Sequence, residues 1–218
     1  MGRAVTEPSL LVPLYVHPGA EPGPWERLVR AAPALRGVVL NAADGPGQFP
    51  DPSFRAAAVR LRAAGVPVLG YVDTAYGRRP LRAAVADLRR HRRWYEVDGV
   101  FCDRVAVEAA LLPHYRRLAL FSRALGARTV VLNPGTHPDP GYAEVADLLV
   151  TFEGPWEAYR TARVPGWTAD HLPSRFCHLV YGVPQEWAGL VARTAGRRGA
   201  AVHCAVPGNG ENPWQTAP

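Results

Sequence analysis

The stretch "DGVFCDRV", Asp98–Val105, sets the pattern from which the whole chain can be read. An apolar run flanked by Asp98 and Gly99 ends in a carboxylate, Asp103, and an arginine follows. Asp103 either terminates a buried strand and pairs with Arg104, or projects into an active site. The same design recurs along the chain. Apolar runs occupy residues 10–18, 37–43, 67–74, 98–104, 129–135, 147–153, 175–182 and 200–206. Most are rich in Val and Leu without strict alternation, which suits parallel strands covered on both faces.

Helical patterns fill the intervals. Phe54, Ala58, Leu61 and Ala64 repeat at helical spacing, with Gly65 where a C-terminal cap belongs. Leu81, Val85 and Leu88 form a second stripe ahead of Trp94 and Tyr95. Leu111, Tyr115, Leu118 and Leu125 form a third, closed by Gly126. Trp187, Leu190, Val191 and Thr194 form a fourth, closed by Gly196. The segments around Trp25 and Trp156 are shorter, and "GYAEVA" after the fifth run leaves room for only a turn or two. Eight strand-then-helix units imply right-handed crossovers and a closed parallel (β/α)8 TIM barrel, an α/β fold forming a single domain over residues 1–218. A doubly wound open sheet fits less well. Its glycine-rich loop after the first strand would fall on "HPGAEPGPW", whose prolines prevent the backbone from cradling a phosphate.

Composition narrows the function classes. The charged share of 20% against 48% hydrophobic residues describes a globular chain, and no apolar run has the length of a membrane span. Every basic residue is arginine, which excludes a Schiff-base, P-loop or catalytic lysine. The net charge of +6 therefore reflects an arginine bias and not a nucleic-acid partner. The densest basic run, "RRHRR" (Arg89–Arg93), is expected at a helix end, where cations favour the dipole and solvent. Arg3, Glu7 and Pro8 precede a short, proline-interrupted apolar stretch, so no secretory signal is read and a cytoplasmic location is expected. Cys102, Cys177 and Cys204 lie in apolar runs without CxxC spacing and read as reduced, buried thiols.

In a TIM barrel the chemistry sits at the C-terminal ends of the strands. There this chain places His17, Asn41, Asp73, Asp103, Asn133 and Glu153. Each residue type also suits turns or helix caps, yet six at one rim describe a polar pocket. Asp103 and Glu153, from the fourth and sixth runs, are expected within about 5 to 9 Å of each other, a range spanning both retaining and inverting glycoside hydrolysis. Tyr15, Tyr71, Tyr76, Trp156, Tyr181 and Trp214 are aromatic candidates for stacking on a sugar, each also explicable as core. His17, His178 and His203 fall on neighbouring strands, but no spacing motif supports a metal, and hydrogen-bonded histidines are the expectation.

At these residues the chain resembles the spherulin-4 family (spherulation-specific family 4). The matching stretches are "LVPLYVHPG", "LNAADGPG", "GYVDTAYGRR", "WYEVDGVFCD", "VVLNPGT", "ADLLVTFEG" and "NPWQTAP", in family order and over nearly the whole chain. The resemblance implies an endo-acting, metal-independent glycoside hydrolase for α-1,4-linked galactosamine and N-acetylgalactosamine polymers. It also implies essential acids at Asp103 and Glu153. The family places a second acid after the aspartate, where this chain has Arg104. The arginine is expected to lower the Asp103 pKa, keeping it ionised as nucleophile, while Glu153 serves as general acid/base; the roles are exchangeable. Alternatively Arg104 faces away from the mouth and braces a loop or meets an acidic substituent.

Substrate contacts are assigned to His17, Asn41, Tyr71, Asp73, Tyr76, Arg104, Asn133, Trp156 and Tyr181. No cofactor and no metal are expected. The expected partner is a carbohydrate or small-molecule ligand, with no nucleic acid or membrane. Two rival readings are a barrel recruited to intracellular small-molecule biosynthesis and a catalytically silent binder of a glycan or acidic ligand.

Overall fold

A computed structural model describes residues 9–218; Arg3, Glu7 and Pro8 lie outside the described residues. The eight strands close into a parallel barrel in sequence order, the last pairing with the first. They are β1 (Leu10–Pro13), β2 (Leu35–Leu40), β3 (Val68–Asp73), β4 (Gly99–Asp103), β5 (Thr129–Leu132), β6 (Leu148–Pro155), β7 (Phe176–Tyr181) and β8 (Val202–Ala205). The crossover helices are α1 (Pro22–Arg30), α2 (Pro52–Ala63), α3 (Leu81–Tyr95), α4 (Leu112–Ala124), α5 (Trp156–Thr161) and α6 (Ala188–Arg197). After β5 the connection contains only a 3₁₀ turn, Pro140–Glu144. Three of the six helices, α1, α2 and α4, and the 3₁₀ turn carry proline at N1 or N2, where the missing N–H costs nothing.

Gly65 and Gly126 adopt φ of 80° and 87° just past α2 and α4, as the stripes predict. The α6 terminus differs. Gly196 lies inside the helix and Gly199, at φ 76°, terminates it three residues later. The basic run lies at the end of α3 as expected, with Arg89, Arg90 and Arg93 exposed, but its histidine differs. His91 at its centre is fully buried, with Nε2 bonded to the Tyr71 carbonyl at 2.8 Å. A carbonyl only accepts, so Nε2 carries the proton, and burial pushes the His91 pKa down to about 4. The neutral ring thus ties α3 to β3 beneath the rim.

Alternation along each strand sets what reaches the mouth. Phe101, Val131 and Leu179 are buried two positions before Asp103, Asn133 and Tyr181, and face the barrel interior with them. Strand β6 needs a device. Its register with β7 shifts between Val150 and Phe152. Val150 pairs with inward Cys177, Phe152 with outward His178, and Glu153 with inward Leu179. The extra residue re-aims the strand end, so that Glu153 points into the barrel mouth.

Candidate active site

Tyr71, Asp103, Glu153 and Tyr181 open onto one cavity of about 640 Å³ at the C-terminal rim, together with Tyr15, Asn41, Asp44, Glu211, Asn212 and Trp214. Asn133 is buried beneath it, 3% exposed, and joins the two acids. Its amide nitrogen donates to Asp103 Oδ1 at 2.7 Å and to Glu153 Oε2 at 2.5 Å. Because both bonds end on one nitrogen, these two carboxylate oxygens lie no more than about 5.2 Å apart. The second oxygen of each acid has its own donor. The Tyr71 hydroxyl donates to Asp103 Oδ2 at 2.8 Å, and the Trp214 indole donates to Glu153 Oε1 at 3.0 Å.

Trp214 arrives from the segment after β8, which folds over the rim. The Tyr15 N–H donates to the Trp214 carbonyl at 2.8 Å, and the Asn212 side chain donates to the Tyr15 carbonyl at 3.1 Å. Gly208 permits this path, since a Cβ there would stand 2.0 Å from the Pro213 carbonyl oxygen.

Burial dominates the electrostatics. It raises the Glu153 pKa from its ordinary 4.5 to about 7, reinforced by the charge of Asp103 and opposed by Asn133 and Trp214. Burial raises Asp103 as well, but hydrogen bonds from Tyr71, the Arg104 backbone and Asn133 oppose the rise. Three donors on Asp103 against two on Glu153 favour the ionised form of Asp103 the more strongly. Tyr71 and Tyr15 are both pushed well above the usual phenol range, chiefly by burial and then by Asp103. They stay neutral and act as donors.

The expected effect of Arg104 is overturned. Its guanidinium pairs with Asp73 Oδ2 at 3.0 Å, and Asp103 is raised, not lowered. Arg104 adopts φ 52°, a left-handed turn that carries the side chain away from the mouth. Asp73 is correspondingly occupied, capping the Ala75 N–H at 2.7 Å through its other oxygen.

Of the expected contact residues, Asn41, Tyr71 and Tyr181 line the cavity and Asn133 underlies it. Five do not reach it. His17 is exposed and pairs with Asp51, the N-cap of α2, at 2.9 Å. Asp73 and Arg104 satisfy each other on the outer rim. Tyr76 stands 49% exposed beside them. Trp156 is buried against Tyr159 and Trp187 behind β6 and β7. Glu211 and Asn212 were not anticipated, although the turn-forming "NGENP" segment that carries them is visible in the sequence; Asp44, which like Asn41 also suits a turn, lines the cavity with them.

His178 bonds the Tyr159 hydroxyl at 2.9 Å, and His17 faces Asp51, so the three rim-strand histidines do not converge. Among the described residues no group of three His, Cys, Asp or Glu side chains is placed to hold a metal ion. All three cysteines are free and buried, with their thiol pKa values raised by burial. No helix among the described residues is long and apolar enough to cross a membrane.

Comparison with known proteins gives a consistent picture. The family model described as spherulation-specific family 4 matches residues 9–206. Spherulin-4 of Physarum polycephalum is 36% identical over 150 residues, covering 66% of this chain and 44% of that protein. The chain therefore spans less than half the length of that relative. Among solved structures, Aspergillus clavatus Sph3 in complex with GalNAc aligns with a TM-score of 0.82 at 25% identity, over 97% of this chain and 93% of that one. A chitinase from Rhizomucor miehei, 12% identical with a TM-score of 0.57 over 95% of this chain and 98% of its own, shares the barrel fold alone.

Proposed function

Since the chain belongs to the spherulation-specific family 4, we propose that it hydrolyses an α-1,4-linked amino-sugar glycan of the galactosaminan type through Asp103 and Glu153. The observation that carries this reading is the single Asn133 amide shared by both carboxylates inside one cavity. The GalNAc bound by the similar Sph3 supports an amino sugar as ligand.

Oxygens within about 5.2 Å suit the double-displacement arrangement, in which paired carboxyl groups stand about 5 to 5.5 Å apart. In an α-linked 2-acetamido sugar the acetamido group lies on the wrong side to attack C1, so a protein carboxylate supplies the nucleophile. Asp103, ionised under three donors, attacks the anomeric carbon. Glu153, with a pKa of about 7, gives its proton to the departing oxygen and then takes one from the water that releases the sugar. Tyr71 and Asn133 hold Asp103 in line, while Trp214 and Asn133 orient Glu153.

The test is incubation with α-1,4-linked galactosamine and N-acetylgalactosamine oligosaccharides, with the anomer of the first product followed by NMR. Internal cleavage with retained α configuration, abolished in Glu153→Gln, is the expected result. Cleavage with inversion removes the nucleophile role of Asp103, and no cleavage of either polymer removes the substrate assignment.

A further inference from the structure

Tyr76 stands outside the mouth, and its backbone is held there against its own preference. Ala75, Tyr76 and Arg104 adopt φ of 47°, 56° and 52°, the left-handed region that side chains with a Cβ avoid. A buried network fixes them. The Tyr76 N–H donates to the Arg104 carbonyl at 2.6 Å. The Thr74 hydroxyl, itself 1% exposed, meets the Asp103 and Arg104 carbonyls at 2.9 and 2.8 Å and the Tyr115 hydroxyl at 3.1 Å. This strained turn leaves a phenol ring half in solvent, forgoing apolar burial that folding would otherwise gain. The Arg104 guanidinium lies 5.2 Å from the ring centroid and steadies it.

The ring borders a second cavity of about 490 Å³, lined also by Val105, Val107, Leu111, Pro134, Thr136 and Glu108, whose Oε2 accepts from the Val107 N–H at 3.2 Å. The wall between this cavity and the mouth is built from the loop after β4, where the left-handed Arg104 breaks the strand alternation, and the loop after β5, which keeps it. After β4, Asp103 faces the mouth while Val105 faces the second cavity. After β5, Asn133 bonds both acids and Gly135 lies against Glu153, while Pro134 and Thr136 line the second cavity. Tyr76 lines the second cavity, on the far side of this wall from the mouth.

We propose that the second cavity is an outer sugar subsite, in which the Tyr76 ring carries the apolar face of one hexopyranose unit of the glycan and Glu108 accepts from its hydroxyls. An exposed aromatic, an apolar wall and one carboxylate match the amphipathic surface of a pyranose, which presents C–H bonds on its faces and hydroxyls around its edge. The inference rests on the glycan reading of the mouth and adds a binding site to it.

The test compares Tyr76→Ala and Tyr76→Phe in the Glu153→Gln background, which binds without turnover. Galactosamine oligosaccharides of increasing length, starting from the disaccharide, are titrated by calorimetry. In the parent, affinity rises with length until the outer subsite is filled. Tyr76→Ala is expected to remove that gain, weakening the long oligosaccharides by about three- to tenfold while leaving the disaccharide unchanged. Tyr76→Phe keeps the ring and is expected to keep the gain. Identical length dependence in Tyr76→Ala and its parent overturns the outer subsite alone. A parent that binds no oligosaccharide of any length overturns the glycan reading and the subsite with it.

Discussion

The indole nitrogen of Trp214 donates to the carboxylate of Glu153 at 3.0 Å across 61 positions of sequence. An N–H donor favours the ionised form of the acid, so this contact restrains a pKa that burial has carried up to about 7. Trp214→Phe keeps an aromatic ring at the site and deletes the donor. The basic limb of the kcat/KM profile, which follows loss of the Glu153 proton, is expected to move to higher pH. A limb that stays in place while activity falls would assign Trp214 to packing.

Glu153 also links stability to pH. Its folded pKa of about 7 exceeds the ordinary 4.5, so between these values the folded protein binds more protons than the unfolded chain. Stability is therefore expected to fall as pH rises through that window, by on the order of 3 kcal/mol, and to level off above it. Asp103, raised in the same direction, adds to the slope. Urea unfolding of the wild type and Glu153→Gln at pH values on either side of the window checks this. Equal slopes in both proteins would show that Glu153 is not the group responsible.

Among the described residues, Asn133 is the only side chain that donates to both acids. Asn133→Ala is expected to lower kcat by about 10²-fold, because each carboxylate loses a donor and the fixed geometry between them. It also frees the Gly135 N–H, bonded to Asn133 Oδ1 at 3.0 Å, at a cost of about 1 to 3 kcal/mol. Circular dichroism and kinetics on the same preparation separate the two effects. Near-normal kcat in a folded variant would leave the acids independent of their bridge.

Arg104 is expected to tolerate replacement. Its ion pair with Asp73 is half exposed, so Arg104→Ala should cost about 0.5 kcal/mol or less and leave kcat within about twofold. Arg104→Gly removes the left-handed penalty at φ 52° and is expected to be the more stable of the two variants. Arg104→Glu places a second carboxylate beside Asp73 and is expected to bring no gain in turnover. A marked gain would mean that this side chain reaches the mouth after all.

The barrel was legible because its signal is local. Eight apolar runs ending in polar residues, and stripes closing on Gly65 and Gly126, follow from pleat and helix periodicity alone. Asp103 and Asn133 were legible for the same reason, being inward positions at the ends of regular strands; Glu153 was legible as the polar residue ending its run, while the β6 register shift that turns it inward has no periodic signal. What escaped depends on backbone that leaves the regular path. Arg104 turns outward because its φ is positive, and Trp214 and Asn212 return from beyond the last strand. His91 is buried within a run of arginines because one position in a helix face the strand below while its neighbours meet water. None of these choices has a period to read.

The docking of Trp214 onto Glu153 also dates the mouth within the life of the chain. A nascent polypeptide that has reached β6 already carries both acids, but not the indole, nor the β8 edge that closes the ring onto β1. The full set of donors around the two acids is therefore assembled last, after every strand has been synthesised.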